Sequence, residues 1–252
     1  MKTLLFSGCR GGVGNSSVTA NLAATLQKNG HQTLTLDLND SNTTSLYFGI
    51  DPRSSRGWGQ ALLDGHDFSN AAFQSNDGRW MLPYGSLKLE ERYRLNAILS
   101  SKPELLSKTL AKLKGVDFLI IDCPTISTQK WAWAEYQYLK ELFTLNARLI
   151  TTLTPSAPDY SLLKNHPDWR DYSALLLLNM QRPESQLHHD LRLVIQTEFH
   201  EQILPIALSQ DITVAEACAH LQTVVSYAPA SQASKEFLAL AHCCENLWRV
   251  AK

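Results

Sequence analysis

The chain has 252 residues, of which 44% are hydrophobic and 19% are charged, and its formal net charge is -1. This length and apolar content predict one folded domain over residues 1–252 and exclude a disordered chain. With this even charge balance we do not expect attraction of the whole molecule to nucleic acid or anionic lipid, and only a local basic patch would provide it. Five cysteines without a Cys-x-x-Cys pair favour a reducing compartment. Since no apolar run reaches the roughly 20 residues of a membrane span, we expect a cytoplasmic protein.

The first predicted elements enclose a glycine-rich loop. Thr3–Ser7 is a short apolar run typical of a buried strand, and apolar residues recur at helical spacing over Val18–Lys28. Between them lies Gly8–Ser17, in which glycines permit unusual backbone angles and close approach to a ligand. Amides of such a turn, together with the helix dipole, attract an anion. The order strand, loop, helix therefore predicts a phosphate site; the alternative is a glycine-rich turn that binds nothing.

Two further predicted strands end in acidic residues. Thr33–Leu36 leads into Asp37-Leu38-Asn39, and the apolar run inside Val116–Pro124 ends at Asp122. A continuous apolar run indicates a strand that is buried on both faces, as in a parallel sheet. Acidic groups at the carboxyl ends of such strands lie where α/β folds bind ligands. Both aspartates are therefore candidates for holding Mg²⁺, although Asp37 could instead cap a turn.

Helices and strands alternate along the rest of the chain, which predicts an α/β fold with a mostly parallel sheet. Helices are predicted over Trp58–Leu63, Leu87–Leu95, residues 101–115, Trp131–Phe143, Ser185–Phe199 and Ser231–Lys252. Strands are predicted over Trp80–Gly85, Ala147–Leu153, Ala174–Asn179 and Ile203–Ile206. The last helix has few basic residues, so we expect it to dock on the domain and not on a membrane.

The glycine-rich loop and the later motifs resemble the ParA/MinD class of deviant Walker A ATPases. Arg10–Ser17 is similar to the sequence Lys-Gly-Gly-Val-Gly-Lys-Thr-Thr of that class. Both lysines are replaced, the first by Arg10 and the second, the P-loop lysine, by Asn15. Asp122 matches the Walker B aspartate, and Asn179 matches the asparagine that contacts adenine. The resemblance implies a three-layer P-loop fold with helices on both faces of a parallel twisted sheet.

The resemblance also implies how the site residues would act. Two subunits would sandwich two ATP molecules, with Arg10 reaching the partner's phosphates in trans. Catalytic roles would fall to Arg10, to Asp37 and to Asn39, which departs from the family's aspartate. Mg²⁺ would be held by Ser16, Asp37 and Asp122. The implied nucleotide-binding residues are Arg10, Gly11, Gly12, Val13, Gly14, Asn15, Ser16, Ser17, Asn179 and Pro205.

Asn15 and Asn39 both remove groups that ATP hydrolysis would use. A lysine neutralises phosphate charge, and removing one preorganised donor commonly costs on the order of 100-fold in rate. An amide at residue 39 carries no charge toward a metal. We therefore expect an ATP-dependent dimer that hydrolyses slowly or not at all and acts as a scaffold. The alternatives are a cycling ATPase for spatial positioning and a DNA-binding partition protein, which the charge balance disfavours.

Several segments resemble one family within this class, the bacterial cellulose-biosynthesis Q proteins. These segments are Gly57-Trp58, Ala61–Gly65, Leu82–Gly85, Leu89–Glu91 and Leu204-Pro205. The resemblance implies a cytoplasmic component of a cellulose synthesis and secretion system. Its implied partners are a second copy of the chain, a small companion of the R-protein type and cytoplasmic regulators of cellulose synthase. Contact with the membrane is expected only through those partners.

Overall fold

A computed structural model describes residues 1–125, 136–165 and 174–249, and in this part of the chain eight strands form one sheet. The strands are β1 (Lys2–Gly8), β2 (Thr33–Asp37), β3 (Phe73–Gln74), β4 (Trp80–Leu82), β5 (Phe118–Cys123), β6 (Ala147–Leu153), β7 (Leu175–Gln181) and β8 (Ile203–Ser209). Their order is β3-β4-β2-β5-β1-β6-β7-β8. Only β3 of these runs antiparallel to its neighbour, so the predicted mostly parallel α/β sheet is confirmed.

Helices cover both faces of the sheet. They are α1 (Asn15–Lys28), α2 (Trp58–Leu63), α3 (Leu89–Ser101), α4 (Leu105–Leu110), α5 (Gln137–Glu141), α6 (Ala157–Asn165), α7 (Gln186–Glu198), α8 (Ile212–Ala219), α9 (Val224–Tyr227) and α10 (Gln232–Asn246). Alternating residues of β1 enter different cores. Leu4 packs with Leu22 of α1 and Phe237 of α10, whereas Leu5 belongs to the cluster that contains Trp58 and Leu95. This alternation explains why the strand is apolar throughout.

The polar residues at the carboxyl ends of the central strands lie together on one side of the sheet, called here the carboxyl edge. In the parallel register Asp37 lies opposite Asp122, and Ser7 lies opposite Cys123 on β5 and Thr151 on β6. Carboxyl ends of neighbouring parallel strands meet on the same side of a sheet, where open α/β folds bind ligands. The glycine-rich loop leaves β1 at this edge.

Some elements differ from their predicted bounds. The helix predicted over Leu87–Leu95 begins at Leu89 and runs further, to Ser101, because its break comes at Lys102, a non-helical residue that precedes Pro103. In place of the predicted helix over residues 101–115, the described helix is α4. The helix predicted from Trp131 is described only from Gln137, since residues 131–135 lie outside the described residues.

The last described helix, α10, packs on the domain as expected. Phe237, Leu240 and Cys244 are buried against α1 and the sheet. Its carboxyl end also lies beside the start of β1, where Lys2 Nζ donates to the Glu245 carbonyl at 3.1 Å. The same ammonium lies 5.5 Å from the centre of the Trp248 ring. In the described residues, no helix is both long enough and apolar enough to span a membrane.

Candidate nucleotide-binding site

The loop between β1 and α1 has the backbone of an anion cradle. Gly12 and Gly14 adopt φ values of +83° and +81°, in the left-handed region that favours glycine. The helix α1 starts after Gly14 without a side-chain cap, whereas α7, α8 and α10 are each capped by a side chain that accepts a hydrogen bond. The first amides of α1 are therefore available to a ligand, and the helix dipole favours a negative one.

A cavity of about 430 Å³ opens over this loop. All eight residues of Arg10–Ser17 line it, together with Asn39 of the β2 edge and Asp122 of the β5 edge. The cavity thus brings together most of the residues that the sequence nominated for phosphate and metal. Asp37 does not line it, and is fully buried.

Asn15 lies where the lysine of the related loops would stand, and both ends of its side-chain amide are engaged. Its Nδ2 donates to Asp122 Oδ1 at 2.7 Å and to the Phe6 carbonyl at 3.1 Å. Its Oδ1 accepts from Thr152 Oγ1 of β6 at 2.9 Å. The side chain therefore joins the loop to three strands of the sheet.

Asp122 is fully buried, and both of its carboxylate oxygens have donors. Thr44 Oγ1 donates to Oδ2 at 2.5 Å, opposite the Asn15 contact on Oδ1. Burial raises the pKa of Asp122 above its usual value, and hydrogen bonds from Ser16, Thr44 and Asn15 oppose that shift. The carboxylate is consequently held in one orientation at the cavity wall.

Asn39 lines the cavity, and Asp37 is buried beside it. Asp37 Oδ1 accepts from the backbone N–H of Asn39 at 2.9 Å. The buried Oδ2 of Asp37 has no hydrogen-bond partner among the described residues. Burial raises the pKa of Asp37 well above its usual value, and the nearby charge of Asp122 raises it further. Asn39 Nδ2 donates to the Asp122 carbonyl at 3.2 Å, so this side chain bridges the ends of β2 and β5.

The oxygen donors at the cavity match the preferences of Mg²⁺. Ser16 Oγ accepts from Thr43 Oγ1 at 3.2 Å in the first turn of α1, and Ser16 and the Asp122 carboxylate line the same cavity. Hydroxyl and carboxylate oxygens are hard ligands, and Mg²⁺ bound with phosphates commonly uses only one or two protein carboxylates. The unpartnered Asp37 Oδ2 adds an acceptor that a water of a metal shell could satisfy. These residues therefore fit Mg²⁺.

Arg10 forms an ion pair with a residue near the start of α6. Its guanidinium pairs with the fully buried Asp159 near the start of α6 through Nε, and Nη2 lies 3.4 Å from Thr154 Oγ1. Asp159 also accepts from the Thr154 amide at 2.6 Å and from the Thr154 hydroxyl at 2.7 Å. The Arg10 side chain is nevertheless 38% exposed, so it can be reached from solvent.

A second cavity, of about 610 Å³, adjoins the first and shares Gly14, Ser17 and Tyr47 with it. Asn179, at the end of β7, lines this cavity, and its Nδ2 donates to the Val13 carbonyl at 2.8 Å. The remaining lining residues are Val18, Met180, Arg182, Glu184, Ser209, Gln210, Asp211, Ile212, Val214 and Ala215. Pro205 is exposed on β8 and is not among them. A glycine-lined cavity at the start of a helix, beside a larger cavity, suits a ligand with phosphates and a base.

Sequence reasoning did not nominate several residues that shape the site. Tyr47 and Thr44 lie on a 3-10 segment, Thr43–Phe48, that follows β2. Thr152 and Asp159 act through contacts with residues more than a hundred positions away. No local pattern distinguishes them from other polar residues. The one available signal was weak: Thr152 lies near the carboxyl end of a predicted strand, where ligands bind.

Comparison with known proteins assigns the family. The family model described as cellulose biosynthesis protein BcsQ matches residues 1–245. The chain belongs to the BcsQ family. The BcsQ protein of Escherichia coli K12 is 29% identical over 253 residues, covering 97% of this chain and 94% of that protein.

Solved structures show the same fold at low sequence identity. The cell division ATPase MinD of Pyrococcus furiosus superposes with a TM-score of 0.73 at 21% identity, covering 98% of this chain and 99% of that one. The septum site-determining protein MinD of Pyrococcus horikoshii, solved with Mg-ADP, gives 0.71 at 20% identity, covering 96% and 95%. This member of the BcsQ family therefore has the P-loop fold of MinD-type ATPases. The family is associated with cellulose biosynthesis.

Proposed function

We propose that this chain, as one nucleotide-binding domain, binds ATP with Mg²⁺ and forms an ATP-dependent dimer. The dimer serves as a scaffold or assembly regulator in bacterial cellulose synthesis and secretion, with weak or no hydrolysis. The observation that carries this proposal is the commitment of the Asn15 amide to Asp122, Phe6 and Thr152 inside an otherwise complete phosphate cradle. Such a loop retains backbone donors for binding but has no side-chain cation at residue 15 for the reaction.

The phosphates would occupy the smaller cavity. The backbone N–H groups of residues 11–17 would donate to phosphate oxygens. Ser16 Oγ, Asp122 and Asp37 would hold Mg²⁺ and its water shell. A bound Mg²⁺ would neutralise phosphate charge and order the phosphate oxygens. The relative from P. horikoshii was solved with Mg-ADP, which supports this pairing.

The base would occupy the larger cavity. Because Asn179 Nδ2 donates to the Val13 carbonyl, the Asn179 Oδ1 is the end of that amide that can accept from a ligand. An acceptor suits the exocyclic amino group of adenine and repels the carbonyl oxygen of guanine. We therefore expect ATP to bind in preference to GTP.

Arg10 would complete the partner's site in the dimer. Guanidinium is permanently charged and contacts phosphate bidentately. To reach a second copy, Arg10 would have to leave Asp159, which would keep its two Thr154 donors. Exchange of an intramolecular ion pair for an intermolecular one would couple nucleotide to dimer formation.

Slow turnover follows from the side chains at residues 15 and 39. The loss of one preorganised cation at residue 15 costs on the order of 100-fold in rate. The Asn39 side-chain amide donates to the Asp122 carbonyl, and residue 39 has no carboxylate that could orient water. The bound nucleotide would thus stabilise the dimer. The dimer surface would bind a small companion of the R-protein type and regulators of cellulose synthase on the cytoplasmic side of the membrane.

The mass in solution tests this proposal. Purified protein would be measured by light scattering with and without ATP and Mg²⁺, and the nucleotide it retains would be identified. A dimer that holds intact ATP for hours supports the scaffold. Conversion to ADP with return to monomer would favour the cycling ATPase, and a monomer that binds no nucleotide would overturn the proposal.

Variants sharpen that test. Arg10→Ala should abolish the ATP-dependent dimer, because it removes the cation proposed to act in trans; Asp159 keeps its two Thr154 donors in this variant. Asp159→Asn should lower the ATP concentration needed for dimerisation several-fold, since Arg10 loses its charged partner. Arg53→Ala is the control, since that arginine forms an exposed ion pair with Asp51. Equal dimerisation of all three variants would contradict the role of Arg10.

A further inference from the structure

Asn15 has an orientation that the surrounding groups determine. The Phe6 carbonyl and the Asp122 carboxylate can only accept from it, so both must face the Asn15 amide nitrogen. The Thr152 hydroxyl, on the opposite side, then donates to Oδ1. Both Nδ2 protons and the Oδ1 atom are used within the protein. Both protons of the Asn15 amide are therefore committed to protein acceptors, so neither is available to a phosphate in the cavity.

The carboxylate that Asn15 contacts is the acidic group on the cavity wall. Asn15 holds Asp122 Oδ1, and Thr44 holds Oδ2, so rotation of the carboxylate is opposed from two sides. Removal of either donor would leave a fully buried oxygen without that partner. Groups that orient a metal-binding carboxylate in this way commonly change metal affinity by about 10- to 100-fold when they are removed.

We infer that Asn15 is a positioning residue for the metal side of the site and not a phosphate ligand. It fixes the Asp122 carboxylate toward Mg²⁺, and Thr152 in turn fixes the Asn15 amide. The inference rests on the proposed function. It predicts that Asn15 contributes to nucleotide affinity only when Mg²⁺ is present.

Affinity for a fluorescent ATP analogue, measured with Mg²⁺ and again with EDTA, tests this inference. In Asn15→Ala we expect the gain in affinity that Mg²⁺ provides to fall about 10-fold. Affinity in EDTA should change less than about twofold, because no phosphate contact is lost. The Mg²⁺ concentration that gives half of the gain should rise in parallel.

Two threonines of β6 provide a matched pair of variants. Thr152→Val removes the hydroxyl that orients Asn15 and should reduce the Mg²⁺-dependent gain several-fold. Thr151→Val makes the same change one residue earlier, where the buried hydroxyl has no hydrogen-bond partner among the described residues. It should bind like the unmodified protein. This pair keeps the test decisive if Asn15→Ala does not fold.

Distinct results overturn the two proposals. If Asn15→Ala weakens binding equally with Mg²⁺ and with EDTA, Asn15 is a phosphate ligand and the inference is wrong. If Thr152→Val behaves like Thr151→Val, the positioning chain is wrong as well. If the unmodified protein binds no nucleotide under either condition, the proposed function fails, and the inference fails with it.

Discussion

Asp37 and Asp122 lie opposite each other across β2 and β5, and each is fully buried. Burial raises the pKa of each carboxyl, and the charge of Asp122 raises the pKa of Asp37 further. Four side chains form hydrogen bonds that favour the ionised form of Asp122, whereas one carboxylate oxygen of Asp37 has no partner among the described residues. A cation bound beside Asp122 would therefore favour ionisation of this pair.

Replacing Asp37 with asparagine should stabilise the unliganded protein in a pH-dependent way. The raised pKa means that the folded state holds a proton that the unfolded state releases, so this group's contribution to stability falls as pH rises above about 4. Asp37→Asn removes that loss. The gain in the free energy of unfolding should be about 1–3 kcal/mol near pH 8 and smaller near pH 5.

Urea unfolding in EDTA at the two pH values measures this effect. Asp51→Asn is the control, because Asp51 is an exposed residue whose pKa is lowered by Arg53, and it should lose a little stability at both pH values. A stabilisation by Asp37→Asn that did not grow with pH would show that the Asp37 carboxylate is not destabilising when ionised.

At the scale of elements, the loop before α1 approaches β7 closely at Gly14. Gly14 has φ near +81°, and a Cβ placed there would lie 2.6 Å from Asn179 Nδ2. A side chain at such φ costs about 1–2 kcal/mol, and the clash would also push the base side of the site away from the loop. The two cavities are adjacent because this backbone approaches β7 so closely.

Gly14→Ala should therefore lower the free energy of unfolding by about 2 kcal/mol or more, and it should reduce ATP affinity at least tenfold. Gly11→Ala in the same loop is the matched control, because a Cβ there meets no atom within 4 Å. Thermal unfolding and analogue binding would be measured on both. Similar losses in the two variants would mean that general loop stiffness matters, and not the approach to Asn179.

The elements that the sequence could predict are those with local signals. Val116–Pro124 holds the continuous apolar run Phe118–Ile121, and Ala147–Leu153 is also predicted as a strand; both segments contain strands in the structure. The 3-10 segment Thr43–Phe48 has no such signal. Its position depends on Arg79, which is buried over the Phe48 ring and donates to the Tyr47 carbonyl at 3.3 Å. An element held by distant contacts cannot be inferred from local periodicity.

The candidate site divides in the same way. The glycine loop, Asp122 and Asn179 follow recognisable strands, so the sequence placed them at one sheet edge, where the cavities lie. The pairing of Arg10 with Asp159 and of Asn15 with Thr152 depends on side-chain packing across the sheet. Residue spacing carries no information about such contacts.

At the scale of the whole molecule, 23 basic and 24 acidic residues leave almost no net charge. Binding to DNA through phosphates requires a concentration of basic groups and weakens steeply with salt. We therefore expect no salt-dependent binding to double-stranded DNA, with or without ATP and Mg²⁺. Fluorescence anisotropy over a salt series would measure this, and affinity that falls as salt rises would support a partition-type function instead.

The contact of Lys2 with the end of α10 has a practical consequence for imaging. The strand β1 has seven residues and begins at Lys2, so its rise of roughly 3.3 Å per residue carries the chain roughly 20 Å to the glycine loop. Both Lys2 and Trp248 thus lie at the edge of the sheet opposite the cavities. A fluorescent reporter joined near either residue would face away from the nucleotide, and cellular tracking of the protein could use either attachment point.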